Sequence, residues 1–340
     1  MKLLLIGPYP PPHGGVSVHM AGIQRDLTAA GICCGVLDTD RVPSWAGFGV
    51  TLANHALLGW TFHVHTNGHN RNSWLLALGC GLIGQSRGGC VLTLHSGIAP
   101  AYLAKASASQ RRLAKLASRL YTRIICVNPE IRDALALLGV PRERIEIVPA
   151  YLAIERPAVS LDEQLLSWIG QHQPLFSTAL FFRAEYGFDL LVNAMVRLRR
   201  HYPSLGCLVM GSGEHRAEAE QQIRANGLEG SVLMLGDVAH EACLAAMSLS
   251  DVFLRTTLQD GDSISVREAL SLGVPVVASR TGTRPPGTIL FHPGNLEELL
   301  SGIELAMVAT RNREAPAAGC MDRLMEIYAQ VVSGEAYASV

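Results

Sequence analysis

The chain has 340 residues, too long for one ordinary hydrophobic core and suited to two domains of about 150–170 residues each. Its formal net charge is −1, which excludes a broad basic field for nucleic acid. Charged residues make up 17%, below the roughly 25% of ordinary soluble domains, which suits large buried parallel sheets and equally suits a protein that rests on a membrane.

Lys2–Ile6 is an apolar run behind one lysine and reads as a first strand, not a secretion signal. A helix is predicted over Val16–Ala30, then strands at Cys34–Asp38 and Thr61–Thr66, a helix over Asn72–Leu82 and a strand at Cys90–His95. The apolar stretch Trp74–Gly84 is too short to span a bilayer and three glycines interrupt it. A helix over Ser107–Tyr121, a strand at Arg123–Val127, a helix over Pro129–Leu138 and a strand at Ile145–Val148 complete the first half. Between Pro149 and Pro174 the alternation loosens to a polar helix candidate, and the inter-domain linker is expected there. Alternation then resumes with strands at Thr178–Phe182, Cys207–Met210, Val232–Leu235 and Val252–Leu254. Helices at Leu190–Tyr202, Glu214–Asn226 and Glu241–Ser248 separate them. A helix starting near Ser265 leads into a strand over Val274–Ala278, and an amphipathic helix over Met321–Val332 ends the pattern. Alternating strands and helices in two tandem halves predict an α/β chain of two Rossmann-like doubly wound parallel sheets, residues 1–155 and 156–340, with ligands outside the carboxyl ends of the strands. The eight cysteines show neither CxxC nor zinc spacing and read as reduced core thiols of a cytoplasmic protein.

Several loops carry possible chemistry. GPYPPPHGGVSVHM leaves the first strand and enters a helix through Gly14 and Gly15, which makes either an anion cradle or a tight turn. MGSGE, with Gly211 and Gly213, is a second glycine turn, but Arg216 stands where a dinucleotide fingerprint has its third glycine. His65 and His95 end two predicted strands, where imidazole either hydrogen-bonds a substrate or relays a proton, or merely satisfies the fold. His63, His65 and His69 lack a carboxylate or cysteine to complete a metal set, so no metal is expected. Arg111, Arg112, Lys115, Arg119 and Arg123 decorate the Ser107–Tyr121 helix and the strand after it, opposite an apolar stripe of Leu113, Leu116, Ala117 and Leu120. That pattern is either a solvated face or a peripheral contact with anionic lipid.

The segment DGDSISVREALSLGVPVVAS, Asp260 to Ser279, sets two acids eight positions apart around a helix start. Ser265 and Glu268 fit a capping box, and Gly273 and Pro275 fit a stop. From spacing alone, Glu268 either caps its helix or grips a ligand, and Asp260 either makes a turn or does the same. The segment resembles the signature of the retaining glycosyltransferases of family 4, which have the GT-B fold of two Rossmann-like domains facing a cleft, with a last helix that often crosses back to the first domain. The phrase DGDSISVREAL resembles the bacterial polysaccharide and lipopolysaccharide enzymes of that family.

The resemblance implies a nucleotide-sugar co-substrate, a UDP- or GDP-sugar, with no other cofactor and no metal. It implies that Asp260, one methylene shorter than the usual Glu, orients the donor sugar, that Glu268 binds the ribose, and that the amides of Gly261, Asp262 and Ser263 face the diphosphate. It places Gly14 and Gly15 between acceptor and phosphate, Gly211 and Gly213 near the nucleotide, Val238 beside the base, and His95, with His65 near it, at the reaction centre. Arg183 would supply the phosphate cation, alone or with Arg284. The chain departs from the family at Tyr186, where many members carry Lys, and at Ala150, where many carry Asn. The expected function is retaining hexosyl transfer to a glycan or lipid-linked acceptor hydroxyl in glycan or polysaccharide biosynthesis, in the cytoplasm or peripherally at the inner membrane face. The alternatives are a nucleotide-sugar epimerase of the same fold and a degenerate nucleotide-sugar-binding subunit.

Overall fold

A computed structural model of the protein describes residues 1–85, 89–149, 160–309 and 319–334. Ala150 and the predicted 155/156 boundary lie outside the described residues. The chain divides into two compact units, one of Met1–Pro10, Val16–Leu152 and Ala317–Val340, the other of Pro11–Gly15 and Ala153–Pro316.

In chain order the first sheet is built from β1 (Lys2–Gly7), α1 (Gly15–Ala29), β2 (Cys33–Asp38), α2 (Trp45–Leu57), β3 (Thr61–Thr66), α3 (Arg71–Gly84), β4 (Cys90–Leu94), α4 (Ala99–Lys105), α5 (Ala108–Arg119), β5 (Arg123–Cys126), α6 (Pro129–Leu137) and β6 (Ile145–Ile147). The strands pair in parallel in the order β2-β1-β3-β4-β5-β6. Strands covered on both faces read as continuous apolar runs, and Leu3–Ile6 is such a run, buried throughout. Side-chain caps fix where helices begin: Asn70, Ser107 and Asn128 each accept a bond from the backbone N–H three residues on. At Ser107 the reciprocal bond from Gln110 completes a capping box.

The second sheet follows through α7 (Glu163–Gly170), β7 (Leu175–Ala179), α8 (Phe188–Leu198), β8 (Gly206–Met210), α9 (Arg216–Ala225), β9 (Val232–Gly236), α10 (His240–Ser248), β10 (Val252–Arg255), α11 (Ile264–Ser271), β11 (Val276–Ser279), β12 (Ile289–Phe291) and α12 (Leu296–Val308). Its order is β12-β11-β10-β7-β8-β9, again parallel. The order reverses between β7 and β10, and such a reversal opens a crevice at the carboxyl ends of the two strands.

The last helix, α13 (Cys320–Ser333), belongs to the first unit. Its Leu324, Ile327, Tyr328 and Val331 are buried against Leu3, Leu5, Ile23 and Ile125. The amphipathic helix expected over Met321–Val332 is thus present, with Leu324 and Tyr328 inward as expected, but Ile327 and Val331 complete the buried face and Val332 is exposed.

Two predicted strands are displaced. The Thr178–Phe182 strand runs over Leu175–Ala179, directly after Pro174, and the Val274–Ala278 strand runs over Val276–Ser279, directly after Pro275. In both, the residue after proline starts the ladder, because proline has no N–H to pair. The cysteines are all free, but they are not all core thiols: Cys33 is exposed, and Cys34 and Cys243 are half-buried.

Candidate active site

The crevice of the second sheet is lined by charge. Arg255, the last residue of β10, donates from Nη1 to the Ala179 carbonyl at 2.7 Å and from Nε to Asp260 Oδ2 at 3.0 Å. It therefore ties the ends of β7 and β10 together. Arg284 reaches the same carboxylate oxygen through Nη2 at 3.0 Å and also donates to Thr257 and Thr281. The three side chains are only 10, 12 and 4% exposed for Arg255, Asp260 and Arg284. Burial pushes the Asp260 carboxyl up, but the two guanidinium groups outweigh it and hold the pKa at about 2. Two positive charges against one negative leave this trio with one positive charge in excess.

The loop then enters α11. Asp262 is buried and paired with Arg267 at 2.7 Å, so that pair is neutral. Gly261 does not present its amide as expected, because its N–H is bonded to Asp260 Oδ1 at 3.0 Å. The helix starts at Ile264 with Ser263 as its N-cap, and no side chain caps it. The predicted capping box is therefore not formed. Ser265 Oγ turns to Ser263 Oγ at 3.1 Å, and the Glu268 carboxylate meets Nε2 of His240, the first residue of α10, at 2.6 Å. Glu268 is buried on α11, so its acid is held by another helix and not by its own backbone.

Arg183, the predicted phosphate cation, is half-exposed and lies 3.7 Å from Glu214 in a surface ion pair. Apart from Arg267, which Asp262 neutralises, the buried cations among the described residues at this end of the sheet are Arg255, which sequence reasoning did not find, and Arg284. Arg255 escapes notice because it looks like the last residue of an ordinary buried strand; an arginine in an otherwise apolar run is the signal that marks it. His240 was also unforeseen, having only a solitary histidine in a helix as its sign.

Gly211 and Gly213 have φ of 131° and 154°, and a Cβ on Gly211 would stand 1.8 Å from the Leu180 carbonyl oxygen. The close passage of the β7–α8 connection demands glycine there whether or not a ligand binds. Val238 is half-buried between β9 and α10, two residues before His240. Gly14 donates its N–H to the Pro12 carbonyl, and Gly15 is exposed with no atom within 4 Å of where a Cβ would stand. Packing therefore does not require glycine at position 15.

In the first unit, β3 carries His63 and His65 on one face, His95 follows β4, and His19 lies on the buried face of α1. His65 Nδ1 and His95 Nε2 are 3.1 Å apart. The His19 ring centre is 5.6 Å from that of His65 and 5.2 Å from that of His95. Burial, then the neighbouring imidazoles, push His65 and His95 well below the usual histidine range, so both rings are neutral at neutral pH. The sequence-level set of His63, His65 and His69 is not what assembles. His63 is bonded to Tyr328 and Thr93 at 2.7 Å each, and His69 to Ser96 at 2.8 Å. His19 takes their place.

The basic helix α5 turns Ala114, Ala117 and Ser118 inward, while Leu116 is exposed beside Arg112 and Arg119. The expected inward stripe through Leu113 and Leu116 is thus corrected by about one position. Arg123 does not join the exposed face, being buried and bonded to Gln330. Among the described residues no helix is long and apolar enough to cross a membrane.

Residues 13–156 match the family described as Glycosyltransferase Family 4, and residues 172–307 match Glycosyl transferases group 1. The matching subunit of the human phosphatidylinositol N-acetylglucosaminyltransferase is 27% identical over 135 residues, 38% of this chain and 28% of that protein. A GDP-mannose-dependent alpha-(1-6)-phosphatidylinositol monomannoside mannosyltransferase of Mycolicibacterium smegmatis is 27% identical over 131 residues, 36% of this chain and 34% of that protein. The matched stretches thus span about a third of the length of these curated relatives. HepE of Anabaena, solved in complex with UDP-glucose, superposes with a TM-score of 0.70 at 18% identity over 98% of this chain and 96% of that one. Sucrose-phosphate synthase of Thermosynechococcus elongatus superposes with a TM-score of 0.70 at 16% identity over 98% of this chain and all, 100%, of that one. The two family matches cover both halves of the chain, and the two parallel sheets have the fold of these neighbours: the chain belongs to the family 4 glycosyltransferases and has the GT-B fold.

Proposed function

We propose that the protein transfers a sugar from a nucleotide-sugar donor to an acceptor hydroxyl with retention of anomeric configuration. The observation that carries this reading is the uncompensated positive charge of Arg255, Arg284 and Asp260 at the carboxyl ends of β7 and β10, just ahead of α11. A nucleoside diphosphate leaving group gains negative charge as the glycosidic bond breaks, and fixed cations with a helix N-terminus stabilise that charge. The guanidinium groups supply it without a metal. Glu268, steadied by His240, accepts hydrogen bonds from the ribose hydroxyls, and Asp260 orients the sugar. Arg255 provides a cation next to Tyr186, which answers the lysine missing there and weighs against a degenerate, purely binding role. Neutral His95, at the end of β4, hydrogen-bonds sugar or acceptor hydroxyls, and the leaving phosphate takes the acceptor proton.

UDP- and GDP-sugars are the donors to try first. One solved neighbour holds UDP-glucose, and one relative is named for its use of GDP-mannose. Two relatives are named for phosphatidylinositol-based acceptors, which supports a lipid-linked acceptor in glycan or polysaccharide assembly. Leu116, outward among the arginines of α5, supports peripheral contact with an anionic membrane surface. A thermal-shift panel of UDP-, GDP- and dTDP-sugars tests the donor, since a bound ligand raises the melting temperature by mass action. NMR of the product formed with the best donor then reports the anomeric outcome. Stabilisation by none of the donors would remove the proposal, and donor conversion without an acceptor would replace it by an epimerase.

A further inference from the structure

We propose that His19, His65 and His95 form a binding site for a single divalent transition-metal ion of the zinc class. One ligating nitrogen from each of the three lies within 4.8 Å of the others. The arrangement is close to what such an ion imposes. Three imidazoles at a zinc–nitrogen distance of about 2.05 Å and tetrahedral angles set their nitrogens about 3.3 Å apart and their ring centres about 5.2 Å apart. Here the rings are 5.2, 5.4 and 5.6 Å apart, and one nitrogen pair is at 3.1 Å.

The three come from separate elements, α1, β3 and the end of β4, so the fold and not a local turn gathers them. His65 is completely buried, and Nδ1 is the nitrogen it turns toward His95 Nε2. Three imidazoles leave one tetrahedral position for a fourth ligand such as water. Neutral nitrogen donors without thiolate or carboxylate suit zinc, cobalt, nickel or copper and disfavour magnesium and calcium.

On the reading of His95 given above, an ion here withholds that imidazole from the substrates. The site then acts as a brake on transfer, not as a cofactor site. The binding test does not depend on that reading. The full chain is prepared with Cys33→Ser, Cys34→Ser and Cys243→Ser, because these are the thiols that are not buried and could compete for the ion. Cobalt(II) is titrated while its visible absorption is followed. One equivalent should give the intense bands of a tetrahedral site, and zinc should abolish them. His19→Ala and, independently, His19→Asn should each weaken binding at least about tenfold, in line with the loss of one of three ligands, with circular dichroism confirming that each variant is folded. Equal cobalt affinity in wild type and both His19 variants, or no cobalt bands in the wild type, would overturn the proposal. Cobalt bound at the trio with turnover unchanged would leave the site standing and overturn both the brake and the placing of His95 at the reaction centre.

Discussion

The guanidinium carbon of Arg255 lies 5.0 Å from the centre of the Tyr186 ring. Arginine over an aromatic face gains about 0.5–2 kcal/mol, the more so where water is excluded. Tyr186 occupies the place of the lysine that many related chains carry, and the cation comes from the neighbouring strand instead. Restoring lysine should therefore do harm. Tyr186→Lys sets an ammonium against Arg255, so both the melting temperature and donor affinity should fall, whereas Tyr186→Leu should cost about 1 kcal/mol of stability. Urea unfolding together with donor titration checks this, and tighter donor binding in Tyr186→Lys would refute it.

Asp260 is paired with two buried arginines, Arg255 and Arg284. Removing one partner of a buried ion pair costs about 3–5 kcal/mol, because the remaining charge is left uncompensated. Asp260→Ala should unfold at markedly lower denaturant. The double variant Asp260→Ala, Arg284→Met should regain part of that loss and still bind donor poorly. If the single and double variants unfold at the same midpoint, Arg284 does not share the carboxylate.

Glu268→Ala should weaken donor binding at least about tenfold, as expected when a carboxylate with two ribose hydrogen bonds is lost. His240→Ala should give a smaller loss, since it removes only the group that steadies Glu268 at 2.6 Å. Isothermal titration with UDP or GDP separates the two. Equal losses would mean that His240 itself touches the nucleotide.

Burial, then the charge of His19, lowers His63 to about 3, and His65 and His95 are lowered as well. In the unfolded chain all three take a proton near pH 6.5. Below that pH the unfolded state binds more protons than the folded state, so stability that is complete above 6.5 is lost as the pH falls towards 3. Each histidine adds up to about 1.4 kcal/mol per pH unit to the slope within its window. Asp260, lowered to about 2 from 3.8, loses its contribution only below pH 3.8. Between pH 6.5 and about 5 the decline thus belongs to the first unit, and hydrogen exchange of β1 and β3 amides should accelerate there ahead of those of β7 and β8.

The βα alternation was legible because strands buried on both faces must be apolar throughout, and the stripe of α13 because one face must be. Helix α2 was not, since Gly47 and Gly49 interrupt it and Trp45, Val50 and Leu57 are exposed, which erases the amphipathic period. The short α4 and β12 and the 13-residue α12 also went unrecognised. At the candidate site, the motif spacing singled out Asp260 and Glu268, but their partners lie in space and not in sequence. Arg255 meets Asp260 across a loop, His240 meets Glu268 from 28 residues away, and His19 joins His65 and His95 from another element. A reading based on neighbouring letters cannot see these pairings, whose cause is tertiary packing.

Helix α13 fills the core of the sheet that holds β1, although more than 300 residues separate Leu3 from Tyr328. A ribosome releases the six strands of that sheet long before the segment that seals them. The opening half of the protein must therefore wait, incompletely packed, until α13 has been made, while the later half has all its described strands and helices in one nearly continuous stretch. A premature stop near residue 318 would spare the sheet just synthesised and cripple the one made first, exposing Leu3, Ile23 and Ile125 to chaperones and proteases.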